Sequence, residues 1–264
     1  MFSGYSPRFP YDSRMLEDFG TGKGFRCRGK EVNRIEAFSD AVFGFALTLL
    51  VISLEVPRTF RELKVAMQGF PAFAICFAWL LSIWFQHYRF FRRYGLQDAT
   101  TFALNAILLF VVLFYVYPLK FLFSLLTSGI FGAGSRIGAQ HLEPITGADA
   151  PTLMIIYGLG FIAVYLVLAL LNWHAYQLRE RLQLNESERV LTIGAIRVHF
   201  LSALVGVASI FIVIIGGPGH VALAGWIYFA VSFVHAFNGW MVGAKMRQLT
   251  ERASSRPASQ LPAA

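Results

Sequence analysis

The 264 residues are 56% hydrophobic and 14% charged, with 26 phenylalanines; a soluble domain carries about a quarter charged residues, so this is the composition of a membrane protein. The net charge of +8 would point to nucleic acid only on a basic soluble domain, which is absent, so nucleic acid is excluded as a partner and Lys and Arg are read as records of topology. Cys27 lies in a polar stretch and Cys76 in an apolar one, which makes neither a disulfide framework nor a metal site.

Residues 1–30 mix Gly, Ser, Pro, Arg and Asp without periodicity and read as a mobile tail. No apolar run precedes Arg34, so no cleaved signal peptide is expected. Residues 34–57, RIEAFSDAVFGFALTLLVISLEVP, then read as the first transmembrane helix. Its first two turns hold Arg34, Glu36, Ser39 and Asp40, its apolar run from Ala41 to Leu54 is broken only by Thr48 and Ser53, and Pro57 closes it. At about 1.5 Å per residue the stretch covers roughly one hydrocarbon thickness. Further apolar segments at 67–88, 100–124, 152–173, 196–216 and 220–243 are each long enough to span.

Six spans put both termini on one side, and the basic residues choose it. With the N-terminus inside, only Arg58, Arg61, Lys64, Lys120 and Arg136 of the 23 Lys and Arg residues fall in outer segments, so both termini are expected in the cytoplasm. The outer loop 125–151 is rich in Gly, Ser and Thr and reads as partly disordered; GGPGH at 216–220 reads as a tight turn between antiparallel helices. The expected fold is an all-α membrane protein of six transmembrane helices: a tail at 1–30, a membrane domain at 31–248 and a polar, disordered tail at 249–264.

An aspartate inside a transmembrane helix costs about 2.5–3.5 kcal/mol on insertion scales, so Asp40 calls for a partner or nearby water, unless it reaches the headgroups. Phe45, Leu49 and Ile52 share one helical stripe with Thr48 at its edge, and Asp40 points about 140° away from Phe45. Trp84, His87 and Arg89 end the second span, Asp98 opens the third and Asn105 lies two turns further in. All belong to the cytoplasmic half, as do Arg34, Ser39 and Asp40, so a shared polar network is possible, with the Trp84 N–H and Asn105 satisfying leftover acceptors. Plainer roles fit the same residues: Asp98 as a helix cap, Trp84 in an interfacial belt, His87 exposed. Arg34 and Asp40 stand about 120° apart around the helix, so their partners come from other helices. His199 and His235 read as a hydrogen-bonded pair between adjacent helices, ahead of a proton relay or metal pair. No P-loop, HExxH, GxSxG or GxGxxG in strand–helix context occurs, so neither an enzyme nor a cofactor is expected.

Arg34-x-x-x-Phe38-Ser39-Asp40, followed by an apolar run with Thr48-Leu49-Leu50 and ending at Pro57, resembles the RxxxFSD signature of the endosomal/lysosomal potassium channel family (transmembrane protein 175), in its prokaryotic branch. Trp84, His87, Asp98, Asn105 and Pro118 are similarly spaced, and the fourth segment, ending in Asn172-Trp173, is also similar. The resemblance covers most of 31–190 and extends to the last two segments only by topology. It implies a homotetramer in the cell membrane of a prokaryote, passing potassium ions through a pore lined by the first helix. It also implies apolar constriction residues: Phe45, where the family carries Leu or Ile, then Leu49 and Ile52, with Thr48 adjoining. Arg34, Phe38, Ser39, Asp40, Trp84, His87, Asp98 and Asn105 would form the structural polar network. The absence of a TVGYG-like loop agrees with a channel that has no carbonyl filter. The partners implied are membrane lipids, potassium and further copies of the chain. An ion-coupled transporter would need ionisable residues at the midplane or broken helices, and a non-conducting scaffold would follow if Phe45 sealed the pore.

Overall fold

The computed structural model describes residues 24–52, 58–68, 70–131 and 149–254. The first helix, α1, runs Arg34–Ile52. Asn33 starts it by accepting the Glu36 amide on Oδ1 at 2.8 Å, one of the donors that a helix start leaves unpaired. Glu36, Ser39, Phe43, Ala46 and Leu50 are all buried; their alternating spacing of three and four residues puts them on one face, which packs against the chain. A short helix α2, Phe60–Gln68, precedes α3, Phe70–Tyr94. The segment expected as the second span, 67–88, overlaps α3, which lies displaced toward the C-terminus.

The next helix, α4, extends over Ala99–Phe131 and passes through Pro118. Proline costs it one backbone donor, yet the apolar sequence on both sides keeps it helical. The expected loop 125–151 is corrected at both ends, because 125–131 and 149–151 are helical and only 132–148 lie outside the described residues. α5 spans Asp149–Gln177 and α6 spans Glu186–Gly216. A capping box starts α6: Asn185 Oδ1 accepts the Glu188 amide at 2.8 Å while Glu188 Oε2 accepts the Asn185 amide at 3.0 Å.

Gly217, at φ +63°, ends α6 in a conformation that favours glycine. The chain turns through a short 3₁₀ segment at Gly217–His220, as the GGPGH stretch leads one to expect. The last expected span is not one uniform helix: α7, Val221–Trp226, and α8, Ala230–Ser254, are joined by a 3₁₀ turn at Ile227–Phe229. Arg197 facing Asn238 and Ser209 facing Ala224 give this hairpin its antiparallel register.

Helix association in lipid gains little from water release and depends on close packing. Gly160 lets α5 approach Tyr115 of α4 so closely that a Cβ there would sit 2.1 Å from the ring, and Gly206 similarly admits Ile162, with a Cβ at 2.8 Å. The described residues contain no strand. Three stretches among them are long and apolar enough to cross a membrane: Ala99–Leu119, Asp149–Gln177, and Glu186–Arg252, the last folding back at the 217–220 turn.

The expectation of a mobile tail is corrected at residues 24–30. Arg26 and Arg28 bind the buried Glu188 carboxylate, with Nη2 to Oε2 distances of 3.1 and 2.8 Å. Phe25 is buried edge-on against Tyr94, ring centroids 5.4 Å apart. The composition resembles that of a tail because the contacts are polar and reach partners about 160 residues away. Residues 1–23 and 255–264 lie outside the described part.

Candidate functional site

The buried face of α1 is held by directed hydrogen bonds. Trp84 Nε1, on α3, donates to Asp40 Oδ1 at 2.8 Å, so the acidic residue inside the first helix has the partner its cost demands. One turn away, His87 Nε2 donates to Asn105 Oδ1 at 2.8 Å, Asn105 Nδ2 donates to Ser39 Oγ at 2.9 Å, and Ser39 Oγ donates to the Ile35 carbonyl at 2.7 Å. His87, Asn105 and Ser39 are all buried. This relay ties α1, α3 and α4 together, and each partner left alone would be a desolvated polar group.

Three other residues assigned to that network lie elsewhere. Asp98 caps α4, accepting the Thr101 hydroxyl at 2.7 Å, and takes a second bond from His174 Nε2 of α5 at 2.7 Å. Burial pushes its carboxyl up, but these donors outweigh it and hold the group below its ordinary value. Arg34 is exposed and bonds to nothing among the described residues. Phe38 is 65% exposed. The reason is helical phase: residues 34, 38 and 45 share a face turned away from Ser39.

That outward face is the other half of the site. Ala37, Phe38, Ala41, Gly44, Phe45 and Thr48 are exposed along it, and the Thr48 hydroxyl is bonded to the Phe45 carbonyl at 2.7 Å. Leu49 is half-buried, so the stripe runs through Thr48 more directly than the expected Phe45–Leu49–Ile52 line. Ile52 ends α1, and its side chain lies outside the described residues.

The site also includes residues that the motif spacing did not single out. Glu36 is buried, with Arg92 Nε 3.6 Å from its Oε1. Arg92 Nη1 also donates to the Gly29 carbonyl at 2.7 Å and to that of Lys30 at 3.1 Å. The position of Glu36 three residues before Ser39 is the one signal that could have found it, since both fall on the buried face. His199 is buried and His235 meets the Ser202 hydroxyl at 3.4 Å, so the expected bond between the two histidines is replaced by one to a serine. Among the described residues no group of three or more His, Cys, Asp or Glu is placed to hold a metal ion.

The family model for the endosomal/lysosomal potassium channel TMEM175 matches residues 34–115, which contain α1, α3 and the network. A potassium channel of Marivirga tractuosa is 41% identical over 238 residues, covering 88% of this chain and 96% of its own length. A potassium channel of Chamaesiphon minutus is 36% identical over 96 residues, 33% of this chain and 47% of that protein. Among solved structures, the crystal structure of the potassium channel MtTMEM175, a threonine-to-alanine variant in complex with a nanobody–MBP fusion protein, matches with a TM-score of 0.72 and 41% identity. It covers 84% of this chain and 98% of its own.

Proposed function

This chain belongs to the endosomal/lysosomal potassium channel TMEM175 family, and from that premise we propose that it is a potassium channel whose pore is lined by α1. The observation that carries the reading is the outward face of α1. That face sets the small residues Ala37, Ala41, Gly44 and Thr48, which suit helix contacts or water, around the exposed rings of Phe38 and Phe45. The exposed face of α4 carries Ala103 and Ala106 near its start and then only large side chains, Ile107, Phe110, Phe114 and Tyr117.

One helix cannot enclose a pore, so the pore needs further copies of the chain; the family resemblance puts the number at four. Each copy contributes six spans, with both termini in the cytoplasm of a prokaryotic cell. The four α1 helices meet through Phe45, Leu49 and Ile52, with Thr48 beside them. An apolar ring of that kind restricts ions by excluding water, because a cation cannot shed its hydration shell where no polar group replaces it. Potassium then permeates without a carbonyl filter, and its preference over sodium is modest.

Potassium flux into liposomes tests this. Phe45→Ser widens and wets the ring, so basal flux rises and discrimination against sodium falls. Lost flux together with poor assembly would instead make Phe45 a packing residue.

A further inference from the structure

We propose that residues 25–30 form a latch that positions α1, with Arg28, Gly29 and Glu188 as its positioning residues. The proposal rests on the reading of α1 as the pore helix. Its basis is an unbroken path of polar contacts from the first turn of α6 to the first turn of α1. Glu188 accepts the Arg26 amide at 2.9 Å and both arms of Arg28, at 3.0 and 2.8 Å. Arg28 also donates from Nε to the Leu182 carbonyl, in the turn between α5 and α6, at 3.0 Å.

The Arg28 and Gly29 amides then both donate to the Arg92 carbonyl at 3.1 Å. The Arg92 side chain returns to the Gly29 and Lys30 carbonyls and lies beside Glu36 of α1. Three residues after Lys30, Asn33 caps that helix. A displacement of the α5–α6 turn therefore reaches α1 by two routes, through the short backbone link and through Arg92 to Glu36.

Two features make this segment a latch and not an extension of the core. Phe25 is its one deeply buried apolar side chain and the Arg26 side chain is 58% exposed, so it is held by polar contacts that can open without unfolding the bundle. Its joint with α3 also depends on Gly29. A Cβ at that position would fall 2.4 Å from the Phe91 carbonyl oxygen, a backbone atom that cannot swing aside. Gly29→Ala thus wedges the segment off α3 without altering any charge.

The experiment reconstitutes the full chain as wild type, Gly29→Ala, Glu188→Gln and the double variant. Potassium flux per assembled protein is measured alongside amide hydrogen exchange of residues 34–40. Each single variant is expected to change flux about threefold or more in a common direction and to speed exchange at 34–40, while the double variant goes no further than either single one, because both lesions open one element. Faster exchange at 25–30 with flux and 34–40 unchanged would overturn the proposal, as would additive effects. If wild type itself passes no potassium, the channel reading fails, and the exchange at 34–40 still decides the latch. Should Glu188→Gln fail to assemble, Arg28→Lys takes its place, keeping the charge but losing the two-armed grip.

Discussion

Phe43 and Phe45 are two residues apart on one helix, and one is 2% exposed while the other is 57% exposed. Phe43 lies against His87, ring centroids 5.5 Å apart, inside the joint of α1 with α3 and α4. Phe45 points away from its own chain, in line with Phe38, Ala41 and Thr48. Composition and hydropathy cannot tell the two apart; helical phase does, since a step of two residues turns a side chain about 200°. The buried face of α1 builds the subunit, and its outward face is the one proposed to line the pore.

That division is sharpened most by lesions on the buried face. Phe43→Ala removes a fully packed ring and should cost about 3–5 kcal/mol, seen as a lower unfolding temperature and less assembled protein; wild-type stability would break the comparison. Asn105→Leu takes from buried His87 the acceptor of its Nε2 and from Ser39 the donor to its Oγ, which keeps its bond to the Ile35 carbonyl; it should cost about 1–3 kcal/mol, with flux per surviving channel unchanged. Trp84→Phe strips Asp40 of its donor. Its cost should be nearer 1 kcal/mol, read in the same unfolding assay, and removed when Asp40→Asn is added, because the neutral amide is cheaper to leave unpaired.

A smaller effect tests the cap at the start of α4. The Asp98 carboxyl is held below its ordinary value in the fold, so its contribution is complete above the unfolded value, about 3.9, and is lost as pH falls through the lower folded value. Unfolding temperature should decline on acidification in that window, and Asp98→Asn should flatten that decline while lowering stability at neutral pH. An unchanged profile would mean that Thr101 and His174 do not hold the charged form.

Much of this could be read in the sequence wherever local spacing carried the information. The apolar runs located the helices, and the cost of an aspartate among them demanded the partner that Trp84 supplies. Glycine and proline punctuation placed the 217–220 turn. What escaped were pairings whose two halves are far apart in the chain: Asp98 with His174, Glu36 with Arg92, and Arg26 and Arg28 with Glu188. No periodicity links such residues, and a segment anchored by arginines reads as a solvated tail. Arg34 and Phe38 were misplaced for the opposite reason: a contiguous motif suggests one environment, whereas a helix deals its residues to opposite faces.

The central claim is that the outward face of α1 borders water in the assembled protein. In a background with Cys27 and Cys76 replaced by serine, Phe45→Cys and Phe43→Cys are reconstituted and treated with a charged, membrane-impermeant thiol reagent during potassium flux. The account predicts that flux through Phe45→Cys is blocked while flux through Phe43→Cys is untouched. A Phe45→Cys channel that conducts, resists the aqueous reagent and is labelled only by a lipid-soluble one would place this face against the bilayer and contradict the account.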